Sequence, residues 1–226
     1  MCGKYEGDYM EAVLAVIGGL IVFVLSVLAV FLLNQLAGIG LEVKGIFVKT
    51  RCAIVYPVIA AIAGALHYYI GKNFHGSVEF ILDFIILSAM AGLSFSDTMN
   101  RKIPNRFLLG LLLAWIVINC GYCLYSMEDG FSLIIGGLSG ALISGAVFLL
   151  CYIIVRGQLG AGDVKMAAVL GLYLMGDRVI TALIFGIFAS AIYALVMVLT
   201  KKMTIKDSMP MAPFLFIGSV IVIVLT

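Results

Sequence analysis

Two aspartates, Asp97 and Asp163, stand at the edges of apolar segments, where a carboxylate is costly unless it has a function or a partner. Asp163 follows a glycine-rich run, Gly157-Gln158-Leu159-Gly160-Ala161-Gly162. Asp97 precedes a polar stretch that contains Arg101, Lys102, Ile103, Pro104 and Asn105. Two adjacent carboxylates share one proton because ionising both is unfavourable, so one acts as a base and the other as an acid. Such a pair activates water against a peptide carbonyl without a metal or a covalent intermediate, which is aspartyl protease chemistry.

The composition is typical of a membrane protein. Of the 226 residues, 64% are hydrophobic and only 12% are charged, and the mean hydropathy is +1.21. These values exceed what a water-soluble core requires, so we predict an all-α, polytopic integral membrane helix bundle. The net charge of +2 gives no reason to expect nucleic-acid binding. Glu6, Asp8 and Glu11 precede the first apolar segment, which indicates a retained anchor rather than a cleavable signal.

A spanning helix needs about 20 mostly apolar residues, and on that basis the chain contains about eight transmembrane helices. They are predicted near residues 11–35, 52–71, 78–97, 103–125, 130–155, 163–176, 178–200 and 209–226. We interpret residues 1–226 as a single membrane domain. Residues 1–51 form an anchor span with a short cytoplasmic loop, and residues 52–226 form the catalytic region.

The distribution of basic residues predicts the orientation. If the first span runs from outside to inside, only Lys4, Lys72 and Arg178 among the fourteen Lys and Arg lie outside. The positive-inside rule therefore predicts that both termini are outside the cell. Because two spans and one outer loop separate them, Asp97 and Asp163 then lie on the same, cytoplasmic side. The cytoplasmic basic residues are Lys44, Lys49, Arg51, Arg101, Lys102, Arg106, Arg156, Lys165, Lys201, Lys202 and Lys206.

The residues around the two aspartates suggest how the site is built. Gly160 and Gly162 allow close backbone approach beside Asp163, which is predicted to cap the sixth helix. Asp97 is predicted near the carboxyl end of its helix, so helix dipoles favour charge on Asp163. This makes Asp163 the base and leaves the shared proton on Asp97. Lys165 either balances the charge of the pair or meets lipid phosphates.

Other ionisable and metal-binding residue types have less specific patterns. Asp83, one turn after Glu79, is either a proton-relay carboxylate or, as we favour, a helix amino-terminal residue with water in reach. His67 is assigned to an interfacial aromatic belt. Cys120 and Cys123 form a single C-x-x-C pair without further ligands, which is a weak zinc signal. We therefore predict no metal and no cofactor.

At these residues the sequence resembles the type IV prepilin peptidases, polytopic aspartyl proteases with a GxGD motif. The resemblance implies that Asp97 and Asp163 are catalytic and that Gly160, Gly162, Lys165, Pro104 and Asn105 bind substrate or support the pair. It rests on Asp97 with Ile103-Pro104-Asn105, on Gly160-Ala161-Gly162-Asp163-Val164-Lys165 with Gly171 and Gly176, on Pro213-Phe214-Leu215 with Gly218, and more loosely on Tyr56-Pro57.

The resemblance also implies a function, a location and partners. The expected substrates are prepilins or pilin-like secretion proteins, cut after a short basic leader at the cytoplasmic face of a prokaryotic cell membrane. Membrane lipids are further partners, and no oligomeric state is predicted. Longer family members carry a cysteine-rich insert, associated with N-methylation, after the first span. Residues 36–51 contain no cysteine, so we expect a short form without methyltransferase activity.

Two other functions are compatible with the pattern. Asp97, Asp163 and Asp83 could form the relay of a proton- or ion-coupled transporter, or the chain could be an inactive membrane scaffold. Transporters usually place charges near the bilayer midplane and contain internal repeats. Here the aspartates lie at one edge and no convincing repeat is present, so the peptidase interpretation is favoured.

Overall fold

The computed structural model describes residues 2–36, 46–71, 77–155, 159–201 and 209–225, with side chains for 14–33, 54–69, 78–155, 159–201 and 209–225. These residues form seven helices and contain no strand. The all-α prediction is therefore confirmed. The helices are α1 (Cys2–Leu36), α2 (Ile46–Gly71), α3 (Ser77–Asn100), α4 (Asn105–Tyr125), α5 (Met127–Ile154), α6 (Ala161–Leu199) and α7 (Ala212–Leu225).

The helical lengths and surfaces are those of a multi-pass membrane protein. Five apolar helical stretches in the described residues are long enough to cross a membrane: Leu14–Leu33, Val78–Asn100, Asn105–Tyr125, Met127–Ile154 and Ala161–Leu199. Large apolar side chains on their outer faces are exposed, including Phe31, Val117, Leu142 and Phe188. Such a surface is stable against lipid hydrocarbon tails, because the tails are as apolar as the exposed side chains. One buried cluster contains residues from all seven helices.

The predicted count of about eight spans is not reproduced, because the described residues form seven helices. The sixth and seventh predicted spans, 163–176 and 178–200, fall in the single 39-residue helix α6. Met175 has non-helical dihedral angles there, with φ 61° and ψ −179°. We call residues 161–174 the first arm of α6 and residues 176–199 its second arm.

The contacts of its two arms show that α6 runs along the bundle and then turns back. The first arm starts with Gly162 beside Ile103, just before α4, and ends near Tyr173, whose hydroxyl donates to the Leu111 carbonyl at 2.7 Å. The second arm starts with Arg178, which binds Asp83 near the start of α3. It then passes Gly186 beside Phe214, at the start of α7. The chain therefore reverses direction at Met175.

Helix α2 begins earlier than predicted. It starts at Ile46 rather than near residue 52, so Pro57 lies in the helix interior. The expected loop at 36–51 falls largely on residues 37–45, which lie outside the described residues. Several basic side chains used in the orientation argument are also outside them: Lys4, Lys44, Lys49, Arg51, Lys72, Arg156, Lys202 and Lys206.

Small residues bring α5 and α6 together. A Cβ added at Gly140 would overlap the carbonyl oxygen of Gly171, and one added at Gly171 would overlap the carbonyl oxygen of Gly140. The two backbones are thus in direct contact, as expected where helices associate without a hydrophobic drive between them. Glycines thus mediate the contact between α5 and α6 at this crossing.

A buried ionisable cluster links α2, α3 and the second arm of α6. The Arg178 guanidinium donates to Asp83 Oδ2 at 2.7 Å, and His67 Nε2 lies 3.0 Å from the same oxygen. Asp83 and His67 are fully buried. The predicted water-accessible Asp83 and interfacial His67 are therefore wrong, because the contacts with Arg178 and between His67 and Asp83 replace the water that burial removes. Asp83 also lies fourteen residues before Asp97 on α3, about 21 Å away at 1.5 Å per residue, which separates it from the Asp97 site.

Candidate active site

A cavity of about 470 Å³ opens where the end of α3, the start of α4 and the start of α6 meet. All seven residues proposed from sequence line it: Asp97, Pro104, Asn105, Gly160, Gly162, Asp163 and Lys165. Arg101, Lys102, Ile103 and Ala161 complete the lining. Two segments that are more than fifty residues apart in the sequence therefore form one polar cavity at one end of the bundle.

Asp97 lies one turn before the end of α3, which stops at Asn100. Its backbone carbonyl accepts the Arg101 N–H at 2.9 Å, and Arg101 adopts a left-handed conformation with φ 51°. A residue in the left-handed conformation directly after a helix ends that helix, and its N–H pairs with one of the last free carbonyl groups. Ser96 Oγ then donates to the Lys102 carbonyl at 2.9 Å. These bonds fold the loop 101–104 back onto α3 and hold one wall of the cavity.

The carboxylate of Asp97 is bound by the amino terminus of α7. Asp97 Oδ2 accepts the backbone N–H of Ala212, the first residue of α7, at 3.0 Å. The Met211 N–H also interacts with this carboxylate. Asp97 is only 5% exposed, so these donors replace water that burial removes. The last helix is thus docked onto one member of the aspartate pair.

Asp163 is positioned by its own helix. Helix α6 begins at Ala161 with Gly160 as its N-cap, so Asp163 is the third helical residue and not the cap that was predicted. Its Oδ2 accepts the Gly160 N–H at 3.0 Å, while its own N–H donates to the Gly160 carbonyl at 3.0 Å. This reciprocal arrangement satisfies donors that a helix start leaves free. The half-buried carboxyl group therefore has a defined place at the cavity wall.

Gly162 permits the close approach of α6 to the loop before α4. A Cβ added there would lie 3.3 Å from Ile103 Cβ, which is tighter than ordinary contact. The same addition at Gly160 would lie 3.3 Å from Asp163 Oδ2. Each of the two glycines is thus favoured at its position for a different steric reason. One admits the neighbouring loop, and the other admits the folded-back carboxylate.

The electrostatic surroundings do not distinguish which of the two aspartates is the base and which is the acid. Asp97 and Asp163 repel each other across the cavity, and the Arg101 guanidinium attracts Asp97. Both carboxylates also accept N–H groups at helix amino termini, Asp163 from α6 and Asp97 from α7. The positive end of a helix dipole therefore faces each of them. The dipole-based assignment of Asp163 as the base loses its motivation, because for Asp97 it considered only α3 and not the amino terminus of α7.

Lys165 reaches across to α4. Its Nζ donates to Asn105 Oδ1 at 3.3 Å, and Asn105 is the first residue of α4. Pro104 is the N-cap of that helix, with φ −69° and ψ 118°. Its missing N–H costs nothing there, since the first helical N–H groups lack internal acceptors. Lys165 and Asn105 thus join the starts of α6 and α4 at the cavity rim.

The described residues contain no group of three His, Cys, Asp or Glu side chains arranged to hold a metal ion. Cys120, Cys123 and Cys151 are free thiols. The groups that the cavity does offer are two carboxyls, backbone donors bound to them and three cationic side chains at the rim. Those groups suit the activation of water and the stabilisation of an anionic intermediate.

Sequence reasoning missed the residues that hold Asp97 from the side of α7. Ala212 acts through its backbone N–H, which every residue except proline possesses, so the residue type carries no signal. The only indication was positional, because Pro210 and Pro213 flank the start of the last apolar run. Arg101 and Lys102 were noted only as basic residues for orientation.

Comparison with known proteins identifies a family and relatives that this chain resembles. Residues 84–195, which include both aspartates, match the model of the Type IV leader peptidase family. A protein of Bacillus subtilis (strain 168) named prepilin leader peptidase/N-methyltransferase is 24% identical over 171 residues, covering 76% of this chain and 66% of the relative. Proteins of the same name in Burkholderia pseudomallei (strains 1026b and K96243) are 26% identical over 172 residues, covering 75% of this chain and 54% of each relative.

The matched region thus spans between about half and two thirds of the length of these curated relatives. No solved structure matches the chain. The family match covers α3 from Phe84, all of α4 and α5, and α6 as far as Leu195, and it includes every residue that lines the cavity. In residues 84–195, which contain the cavity, the chain thus belongs to the Type IV leader peptidase family.

Proposed function

We propose that this chain is an aspartic-type endopeptidase that removes the leader from type IV prepilins or pilin-like secretion proteins. The observation that carries the proposal is that Asp97 and Asp163, from separate helices, line the same cavity. Membership of a leader peptidase family supports the peptidase activity and the substrate class. The described groups of the cavity offer acid–base chemistry as the direct route to peptide hydrolysis.

In the proposed mechanism the two carboxyl groups share one proton. A water molecule between them loses a proton to the ionised carboxylate as its oxygen attacks the scissile carbonyl carbon. The protonated carboxyl group donates to the carbonyl oxygen, and the amine leaves with a proton returned by the pair. The N–H groups of Ala212 and Gly160 hold the two carboxyl groups in place through this cycle. Hydrolysis requires no redox step and no group other than water.

We propose that the cavity faces the cytoplasm of a prokaryotic cell. Arg101, Lys102 and Lys165 line it, and the positive-inside rule assigns such basic clusters to the inner side, where anionic head groups attract them. The reversal at Met175 supports two separate crossings by the arms of α6. If each arm of α6 counts as one crossing, the seven helices give about eight crossings of the membrane.

We further propose that this chain is a peptidase only. The printed names of the relatives combine leader peptidase with N-methyltransferase. Residues 36–51, which follow the first span, contain no cysteine, and a cysteine-rich insert there is the feature expected of the bifunctional form. The product of cleavage would then leave this enzyme with an unmodified amino terminus.

The test is cleavage of a pilin-like precursor by the purified chain in lipid nanodiscs, read by mass spectrometry. Asp97→Asn and Asp163→Asn keep the size of each side chain and remove the acid–base function. We expect each to lower kcat by at least about 10²-fold, the smaller end of what acid–base groups contribute. Asp129→Asn is the matched control, because Asp129 is exposed at the start of α5, away from the cavity. Full activity in both cavity variants would refute the proposal.

A further inference from the structure

Tyr56, on α2, contacts the turn of α3 that carries Asp97. Its hydroxyl oxygen lies 3.1 Å from Thr98 Oγ1. Thr98 Oγ1 itself donates to the Ser94 carbonyl at 2.7 Å. A threonine hydroxyl has one hydrogen, so the Thr98 hydrogen is already used and Tyr56 is the donor between the two. The tyrosine hydroxyl is thereby bound to the residue that directly follows Asp97.

The ring of Tyr56 contacts the other element that meets Asp97. It packs edge-on against Phe216 of α7, with ring centroids 5.9 Å apart and an interplanar angle of 80°. Such T-shaped pairs stabilise beyond their buried area. Phe216 is 1% exposed and lies one turn after Ala212, whose N–H binds Asp97. One side chain therefore contacts α3 beside Asp97 and α7 beside the donor to Asp97.

We propose that Tyr56 is a positioning residue for the reaction, which holds the α7 amino terminus on the Asp97 carboxylate. This inference rests on the proposed function. The hydroxyl sets the last turns of α3, and the ring sets the first turns of α7. Together they fix the distance between the Asp97 oxygen and the Ala212 N–H. Tyr56 touches neither the cavity nor the reacting atoms, so it acts through Thr98 and Phe216.

This role explains why a tyrosine suits the position better than a purely apolar residue. A phenylalanine would pack against Phe216 equally well, but it would leave α3 free to move relative to α2 at the Asp97 turn. Misplacement of a catalytic group by about 1 Å costs on the order of 10²-fold in rate, and productive geometry is held within about 0.5 Å. A single lost tether should therefore lower kcat by roughly tenfold without altering substrate binding.

The experiment compares kcat and KM for cleavage of the same precursor by Tyr56→Phe, Thr98→Val, Thr98→Ser and the double variant Tyr56→Phe with Thr98→Val. We expect Tyr56→Phe and Thr98→Val each to lower kcat about tenfold with KM within twofold. The double variant should be no worse than Thr98→Val alone, because Thr98→Val already removes the bond that Tyr56→Phe removes. Thr98→Ser keeps the acceptor oxygen and should retain wild-type kcat.

Tyr173→Phe is the matched control for loss of a tyrosine hydroxyl. That hydroxyl is buried and donates to the Leu111 carbonyl at 2.7 Å, so its loss tests stability without touching Asp97. We expect a lower unfolding temperature with kcat within twofold of wild type. If Tyr56→Phe does not fold, the contrast between Thr98→Val and Thr98→Ser decides the matter.

Two results distinguish failure of this inference from failure of the proposed function. If Thr98→Val and any folded Tyr56→Phe keep wild-type kcat while Asp97→Asn is inactive, Tyr56 does not position Asp97 but the aspartate mechanism stands. If Asp97→Asn cleaves normally, the proposed function itself is wrong. A Tyr56→Phe variant that loses kcat only in proportion to its folded fraction, as Tyr173→Phe would, also overturns the inference.

Discussion

Replacing Gly162 with alanine tests whether the cavity depends on close contact between α6 and the loop before α4. The added Cβ would lie 3.3 Å from Ile103 Cβ and 3.7 Å from its Cδ1. Optimal carbon–carbon separations are about 3.5–4.0 Å, so the loop or the start of α6 must shift by a few tenths of an ångström. Asp163 is the next residue along the chain, and the shift is therefore transmitted to its carboxyl group.

The expected effect follows from the tolerance of a catalytic site. Productive geometry is held within about 0.5 Å, and a displacement of about 1 Å costs on the order of 10²-fold. We expect Gly162→Ala to lower kcat by about tenfold. Its thermal stability should not fall, because alanine favours a helix over glycine by about 1 kcal/mol and offsets the local crowding. Activity and stability should thus change in opposite directions or independently.

The control is Gly110→Ala on α4. An added Cβ at Gly110 meets no heavy atom within 4 Å, so the same chemical change occurs in open space. We expect wild-type kcat and an unchanged or slightly higher unfolding temperature. Both variants are assayed in the same nanodiscs by cleavage of a pilin-like precursor and by thermal unfolding. Wild-type kcat for Gly162→Ala, or a loss of activity matched by a loss of folded protein, would refute the steric reasoning.

Two further predictions concern stability. Arg178→Met leaves the buried Asp83 carboxylate without its cation, and breaking a buried pair in this way costs about 3–5 kcal/mol, so a marked fall in the unfolding temperature is expected. An unchanged temperature would mean that the pair is dispensable. Gly171→Ala should separate α5 from α6 at Gly140 and destabilise strongly, whereas Gly121→Ala, in open space, should not. Equal unfolding temperatures for these two variants would contradict direct backbone contact.

Much of the cavity lining could be predicted because it depends on short local patterns and on one topological count. The glycine run before Asp163 and the Ile103-Pro104-Asn105 stretch after Asp97 each indicate a helix start at an apolar boundary. The charge distribution then placed both boundaries on one side. Proximity followed from these two facts without any knowledge of side-chain contacts.

The remaining features depend on contacts between distant segments. Ala212 binds Asp97 through a backbone group, which leaves no trace in residue type. His67, Asp83 and Arg178 come from three helices, and no periodicity in the sequence indicates that their side chains meet. His67 and Asp83 each looked like an ordinary interfacial residue because their neighbours in sequence are apolar or aromatic. Tertiary pairing decided their burial.

Helix boundaries were the other source of error. Lys49 and Arg51 were taken as the end of a loop, but α2 continues through both positions from Ile46. A charged side chain near a membrane surface does not stop a helix, because its long stem reaches water. Between the sixth and seventh predicted spans, the break was expected at residue 177 and lies two residues earlier, at Met175, where one residue turns the chain without a loop.

The most direct test of the aspartate pair is single-turnover cleavage of a pilin-like precursor by Asp97→Asn, Asp163→Asn and the double variant. Residues that act as one catalytic unit are strongly non-additive. We predict that each single substitution abolishes most of the activity and that the double variant is no slower than the worse single one. Wild-type cleavage by either single variant, or losses that multiply in the double variant, would contradict the account of a shared catalytic pair.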